Sequence, residues 1–194
     1  MERELDFVKV KIIRSGRRTL SLEITHDGDV VVRAPYRVKE KDIAAFVKSK
    51  EMWIKKHLEK VRAANSAAKD VGGFTPEEIK AMAERTLELV RLRAEYFSKI
   101  LGVKYNKITV RRQKTRWGSC SSKGNLSFNC LLALVPPEVL DSVVVHELCH
   151  LKEMNHSEKF YAEVLKVFPD YHKCRKWLNE NGGALMARMS LRET

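Results

Sequence analysis

The stretch that decides the fold is Val145-His146-Glu147-Leu148-Cys149-His150-Leu151-Lys152-Glu153-Met154-Asn155-His156, which contains the pattern HExxH. Residues four apart share one face of a helix, so His146 and His150 can each point an imidazole nitrogen at one metal ion. Glu147 lies beside the first of these ligands, where its carboxylate can take a proton from a water on the metal. The stretch therefore predicts a helix that carries a metal site of the kind used for hydrolysis.

His156 is the third candidate ligand. It follows His150 by six residues, too far around a helix for the same face. We expect Asn155 to adopt a left-handed conformation that ends the helix and turns His156 back. Three histidines leave one coordination position open, as in a catalytic zinc site. The sequence thus predicts one zinc ion per chain, although three imidazoles also accept other divalent transition metals.

Two other interpretations of the histidines stay open at this point. The three residues can be ordinary surface or core histidines, or they can belong to a closed structural metal site. A closed site would not need Glu147, and it would require Cys149 to turn toward the metal. We expect Cys149 instead to be a buried apolar filler.

The segment before this helix is basic and reads as two strands. The first is Lys107–Arg111, and the second runs from Gly118 to Asn129 with a turn at 123–125. Gly118 permits a close backbone approach, and a strand edge near the metal can pair with an extended peptide. The candidate substrate-binding residues are Arg112, Lys114, Arg116, Gly118 and Ser119. For Arg112 and Lys114 the alternative is a solvated strand face.

Helices flank this core of the sequence. Thr75-Pro76 predicts the start of one that ends near Ile100, and Pro136-Pro137 starts the metal-binding helix. Ser157 caps a last helical segment with a break at Pro169. In that segment, we expect the rings of Tyr161 and Tyr171 to pack in the core with their hydroxyl groups in contact with water. The alternative is a hydrogen bond from either hydroxyl to the transition state.

The first third of the chain predicts a β-rich region followed by a helix. Alternating strands occur over residues 7–13, 20–25 and 30–32, and they favour an antiparallel hairpin or meander. A helical pattern then runs to about Val61, and residues 63–73 suit a linker or hinge. We therefore expect an α+β protein with a β-rich N-terminal region plus helix at 1–72 and a hydrolase domain at 73–194.

Composition limits the class of protein and its partners. The 194 residues carry 37 Lys and Arg against 25 Asp and Glu, a formal net charge of +12. No acidic residue occurs between Glu95 and Glu138, whereas that stretch holds eight lysines and arginines. Such an excess favours a polyanionic partner or substrate. The absence of a long apolar run and of a signal peptide predicts no membrane partner and a cytoplasmic location.

The chain resembles the YgjP-like metallopeptidase family, which is related to the SprT-like and WLM zinc peptidases. The resemblance rests on Arg116-Trp117-Gly118-Ser119-Cys120, on His146 to Leu151 with Asn155-His156, and on N-terminal stretches such as Arg17 to Leu22 and Arg33-Ala34-Pro35. It implies that His146, His150 and His156 bind zinc and that Glu147 is the general base. It also implies a minimal zincin-like domain, with a small antiparallel sheet on the active-site helix. The wider metzincin pattern has glycine where this chain has Glu153.

Three functions remain as hypotheses. The first is a zinc-dependent metallopeptidase, with a peptide or protein substrate, in which Glu147 activates a water bound to zinc. The second is a metal-dependent nucleoside triphosphate pyrophosphatase, since an activity on UTP has been attached to the family and the basic strand region can hold phosphates. The third is a nucleic-acid-binding module or a DNA-associated protease that uses the basic surface.

Overall fold

A computed structural model describes residues 2–5, 7–25 and 27–191, with side chains from residue 7 onward. The chain forms two compact units, Met1–Val71 and Gly72–Thr194. Each has a hydrophobic core of its own. No helix among the described residues carries an apolar stretch long enough to cross a membrane.

The N-terminal unit is a four-stranded sheet with two helices. Its strands are β1 (Glu2–Leu5), β2 (Val8–Ser15), β3 (Ser21–Ile24) and β4 (Val30–Pro35), in the order β1-β2-β4-β3. The pairs β1–β2 and β3–β4 are antiparallel, but β2 and β4 are parallel. The expected hairpin or meander is therefore wrong at this central pair, because strand alternation reports which face is buried and not which strand lies alongside.

The helical part of this unit differs from the prediction at two places. The helix α1 (Glu40–Ser49) ends at Ser49 with Lys50 as its C-cap, and α2 runs without a break from Glu51 to Val71. The expected linker at 63–73 is thus helical as far as Val71. Four of the residues between 63 and 71 are alanine, the best helix former, and they outweigh the small, polar character that suggested a loop.

The C-terminal unit begins with a long helix. The helix α3 (Pro76–Leu101) starts at a capping box, in which Thr75 accepts from the Glu78 backbone N–H while the Glu78 side chain accepts from the Thr75 N–H. It ends at Gly102, whose φ of 66° is in the left-handed region. Both ends are as the sequence predicted.

A three-stranded sheet follows α3. Its strands are β5 (Lys107–Arg111), β6 (Gly118–Cys120) and β7 (Asn125–Asn129), in the order β5-β7-β6. The pair β6–β7 is antiparallel and β5–β7 is parallel, so the sheet is mixed rather than antiparallel as expected. The predicted α+β class, with a small sheet against the active-site helix and a β-rich N-terminal region, is confirmed.

Three helices complete this unit after a 3-10 turn at Cys130–Leu134: α4 (Pro137–Cys149), α5 (Glu158–Val167) and α6 (Tyr171–Ser190). The break at Pro169 separates α5 from α6, as predicted. The helix α4 is apolar on almost all sides, and it contacts α3, β6, α5 and α6. A central helix of this kind is held rigidly, which fixes the side chains at its C-terminal end.

An ion pair joins α3 to α4. Arg93 donates from Nε to Asp141 Oδ1 at 2.6 Å and from Nη2 to Asp141 Oδ2 at 2.7 Å. This fork geometry gives direction as well as attraction, so it sets how α4 lies along α3. The pair also raises the pKa of the Arg93 guanidinium, through the hydrogen bond to Asp141.

Candidate metal centre

The C-terminal end of α4 presents two imidazoles on one face. The rings of His146 and His150 lie 4.8 Å apart, edge to face. The helix ends at Cys149, and His150 is its C-cap with αR backbone geometry. The spacing of four residues thus places both rings together, as the sequence predicted.

His156 returns to the same place through a compact turn. The amides of Lys152 and Glu153 both donate to the Cys149 carbonyl at 3.0 Å, which coils the chain tightly beyond the helix. Among the described residues no non-glycine residue has a positive φ, so the expected left-handed Asn155 is wrong. The chain reverses through these hydrogen bonds between residues with negative φ, so the turn needs no left-handed residue.

The three histidines form a cluster that could hold one metal ion. Their ligand nitrogens all lie within 4.8 Å of one another, and Nε2 of His156 is 3.0 Å from Nε2 of His146. Two imidazole nitrogens on one tetrahedral zinc, each about 2.0–2.1 Å from it, lie roughly 3.3 Å apart. The observed separation is close to that value, so the donor set fits zinc.

The protonation of the cluster also suits metal binding. Burial lowers the pKa of His146 to about 3, with His150, His156 and Arg175 as further causes. Burial likewise lowers the pKa of His150. Neutral imidazole is the form that binds metals. His146 is in this form at neutral pH, so it does not have to release an imidazolium proton when a metal binds.

Outer hydrogen bonds orient two of the three rings. Nδ1 of His146 lies 2.8 Å from the hydroxyl oxygen of Tyr171, and Nδ1 of His150 lies 3.1 Å from the backbone carbonyl of Glu153. Both contacts use Nδ1 and leave Nε2 for a metal. Tyr171 is a buried residue, so its predicted packing role is combined with a contact that the sequence did not predict.

The ring of Phe160 packs against all three histidine rings. Its side chain is fully buried on α5, and its ring centroid lies 4.9, 4.6 and 5.0 Å from those of His146, His150 and His156. Ser157 caps α5 by accepting from the Phe160 backbone N–H. The predicted cap therefore also positions the aromatic residue, which sequence reasoning missed because Phe160 looks like any core residue.

Glu147 is 4% exposed and faces β6. Its Oε2 is buried and makes no hydrogen bond to the described residues. Burial raises the pKa of this carboxyl to about 8, and the positive charge of Arg116 acts in the opposite direction. A buried polar atom without a partner in the protein is uncommon and indicates a place where water or a ligand belongs.

A cavity of about 240 Å³ opens beside Glu147 and His146. Of the candidate substrate-binding residues, Arg116 and Gly118 line it, and Tyr171 and Arg175 contribute from α6. Arg175 was not predicted, although its spacing of four residues from Tyr171 places both on one helix face.

The other three candidates are not among the residues that line this cavity. Arg112 donates from Nη2 to the carbonyl of Met189 at 2.5 Å, which ties the loop after β5 to α6. Lys114 is exposed, and Ser119 is opposite Ser127 in the β6–β7 pair. Arg112 thus has a structural contact, which a sequence pattern of alternating charges cannot distinguish from a substrate contact.

Asn129 holds the loop that carries Arg116. It is fully buried, and its Nδ2 donates to the carbonyls of Gln113 and Arg116, both at 2.8 Å. Its Oδ1 accepts from the Leu131 backbone N–H at 3.1 Å. Sequence reasoning missed this residue, since an asparagine at the end of a strand is also a common turn residue.

Cys149 is fully buried, as predicted, and it is not part of the three-histidine cluster. Burial raises the pKa of its thiol to about 12, so the thiolate that a metal requires is strongly disfavoured. The cluster of three histidines without Cys149 therefore gives no support to the closed structural site that would have used this thiol.

Comparison with known proteins gives a family and several distant similarities. A family model described as "YgjP-like, metallopeptidase domain" matches residues 18–79 and 77–181. A protein named UTP pyrophosphatase from Escherichia coli (strain K12) is 31% identical over 71 residues, which is 34% of this chain and 42% of that protein. The chain therefore matches less than half the length of that relative.

Two solved structures are also similar. The metallopeptidase zymogen abylysin of Pyrococcus abyssi is 25% identical with a TM-score of 0.44, over 48% of this chain and 95% of its own. The metallopeptidase zymogen jannalysin of Methanocaldococcus jannaschii is 21% identical with a TM-score of 0.43, over 47% of this chain and 94% of its own.

Proposed function

This chain belongs to the YgjP-like metallopeptidase family, and on that premise we propose that it is a zinc-dependent metallopeptidase whose general base is Glu147. One observation carries the proposal. Three imidazole nitrogens converge to within 4.8 Å, and the next residue on the same helix is a buried carboxylate with an unpartnered Oε2. The end of one rigid helix thus presents the base together with His146 and His150, and the turn that follows it presents His156.

The metal would be held by His146, His150 and His156, with one zinc per chain. When bound, zinc supplies Lewis-acid polarisation of a carbonyl oxygen and makes water acidic enough to react near neutral pH. Tyr171 and the Glu153 carbonyl hold the rings of His146 and His150 through Nδ1, so that Nε2 stays directed at the ion.

Glu147 would move the protons. Its side chain borders the cavity, and the raised pKa makes the ionised carboxylate a stronger base than an exposed one. In that form it would accept a proton from the attacking water and later give it to the leaving amine nitrogen of the peptide. Because Oε2 has no hydrogen bond to the described residues, it is available for that water without breaking a contact.

The strand β6 would bind the peptide backbone. It is at the end of the order β5-β7-β6, so its second edge is not paired with a strand of this sheet. An extended peptide can add to such an edge, with main-chain hydrogen bonds along Gly118 and Ser119. Gly118 also lines the cavity beside Glu147, which brings a peptide on this edge to the base.

Zinc analysis together with a casein assay tests the proposal. The wild type and Glu147→Gln should each contain about one zinc, since the substitution leaves the three histidines intact. Casein cleavage should be found in the wild type and lost in Glu147→Gln, because a neutral amide cannot accept the proton. Equal cleavage by both proteins would remove Glu147 from the mechanism.

A second candidate function is hydrolysis of a nucleoside triphosphate. It is favoured by the relative named UTP pyrophosphatase and by the eight positive residues between Glu95 and Glu138. The same pair of proteins, incubated with a nucleotide panel, separates the two candidates, since nucleoside monophosphate and pyrophosphate would identify phosphoanhydride cleavage. Nucleic-acid binding and the cytoplasmic location stay predictions from the sequence.

A further inference from the structure

Two arginines from different elements line the cavity at the metal centre. Arg116 comes from the loop before β6, and Arg175 comes from the second turn of α6. The backbone of Arg116 is anchored, because its carbonyl accepts from the buried Asn129 amide. Arg175 lies four residues after Tyr171, on the helix face that meets His146. Both guanidinium groups are therefore carried by fixed backbone.

Neither guanidinium has an ion-pair partner within the described residues, although Glu147 lines the same cavity. No carboxylate of those residues forms an ion pair with Arg116 or Arg175, whereas Arg33 and Arg93 each have one. Arg175 donates from Nη1 to the Tyr161 hydroxyl at 3.3 Å. The other N–H groups of its guanidinium remain available to a ligand. Arg175 lines the same cavity as His146 and Glu147. Two unpaired guanidinium groups in one cavity are a suitable environment for an oxyanion.

The size of the cavity and its other lining residues limit the kind of molecule that can carry this oxyanion. Its other walls include the apolar side chains of Trp117, Val143 and Leu178. At about 240 Å³ it is smaller than the 300–1,000 Å³ of common small-molecule sites. A single amino-acid residue with an apolar stem and a carboxylate end matches this size and this mixed lining.

We propose that Arg116 and Arg175 bind a carboxylate of the peptide substrate in the residue next to the scissile bond, and that they make the enzyme selective for substrates with a carboxylate there. This assignment rests on the proposed peptidase function and adds the substrate class. The carboxylate comes either from a Glu or Asp side chain or from the C-terminus of the peptide. Planar guanidinium forks suit both sources.

A binding assay and a cleavage assay test the proposal together. Labelled peptides that differ at one position, Glu or Gln, are titrated by fluorescence anisotropy into the zinc-loaded full chain with Glu147→Gln, which keeps the arginines. A third peptide has no acidic side chain but ends in a free carboxylate, and a fourth is its amide. We expect the Glu peptide to bind at least about tenfold more tightly than the Gln peptide, or the free-acid peptide more tightly than its amide.

Variants then assign the preference to the two arginines. Adding Arg116→Met or Arg175→Met should reduce the ratio of acidic to neutral affinity by about tenfold. The control is Arg91→Met, an exposed arginine on α3 that does not line the cavity, which should keep the ratio. An unchanged ratio in both arginine variants, or equal binding or no binding of acidic and neutral peptides, would overturn the proposal.

Cleavage of the same peptides by the wild type separates this proposal from the proposed function. Cleavage without any preference for the acidic peptides leaves the peptidase standing and overturns the arginine assignment. An acidic preference in binding without cleavage of any peptide supports carboxylate binding by the two arginines and contradicts the peptidase function.

Discussion

A Cβ atom placed on Gly118 would lie 2.6 Å from Oε1 of Glu147. It would also lie 2.7 and 2.9 Å from the Cγ and Cδ atoms of that side chain, distances that real Cβ atoms essentially never show. The absence of a side chain at residue 118 therefore creates the space that the Glu147 carboxylate occupies. Strand β6 and helix α4 are joined at this point by a glycine and a buried acid.

Gly118→Ala should displace the Glu147 carboxylate and reduce the hydrolytic kcat/KM by about 100-fold, the effect of a misplacement of roughly 1 Å. Zinc content should be unchanged, because the three heavy atoms nearest to the new methyl group all belong to Glu147 and not to a histidine. The control is Gly16→Ala, since an added Cβ there meets nothing within 4 Å. Full activity of Gly118→Ala would show that the carboxylate position does not matter.

His150→Ala should weaken zinc binding by more than about 100-fold, since outer-sphere partners alone are worth about 10- to 100-fold. His172→Ala is the matched control, because His172 is exposed and lies outside the three-histidine cluster. Zinc per chain is measured by metal analysis after dialysis. Full zinc content in His150→Ala would contradict the ligand assignment.

Tyr171→Phe removes the hydroxyl that lies 2.8 Å from Nδ1 of His146 but keeps the aromatic ring. We expect a loss of about 10- to 100-fold in zinc affinity or activity, because the imidazole loses the group that orients it. Tyr96→Phe is the control, since Tyr96 is 52% exposed on α3. A Tyr171→Phe protein with wild-type zinc affinity and kcat would limit Tyr171 to packing.

Asn129→Ala should lower the free energy of unfolding by roughly 3 kcal/mol, since buried groups left without a partner cost about 1–3 kcal/mol each. The groups are the carbonyls of Gln113 and Arg116 and the Leu131 backbone N–H. Urea unfolding of the full chain measures the effect. The control Asn181→Ala, at an exposed position on α6, should stay within about 0.5 kcal/mol of wild type.

Much of the metal centre could be predicted from the sequence because its signals are local. The spacing of His146 and His150 predicts one helix face, and the prolines at 136 and 137 predict where that helix begins. Ser157 likewise predicts the start of α5. Such signals depend on hydrogen bonds and sterics within a few residues, so they are the same whatever lies around them.

Other features depend on elements that are distant in the chain. The pairs β2–β4 and β5–β7 are parallel, whereas the sequence favoured an antiparallel hairpin or meander in the first sheet and the family resemblance implied an antiparallel second sheet. Arg112 looked like Arg116 in the sequence, but it bonds to the Met189 carbonyl 77 residues away. Local patterns report which side of a strand is buried and carry no information on the partner that buries it.

The sequence by itself determined that His146, Glu147 and His150 are carried at the end of one helix, because a repeat of 3.6 residues fixes which side chains share a face. It also offered His156 as the third ligand, but not the turn that brings it back. The tertiary structure alone decided that Gly118 makes room for Glu147, that Tyr171 orients His146, that Phe160 supports the rings and that Arg175 joins Arg116 in the cavity. These contacts exist only because α4 is packed between β6, α5 and α6. Because the interior is closely packed, the position of each helix and strand fixes the positions of the reactive atoms, and this requires the whole folded unit.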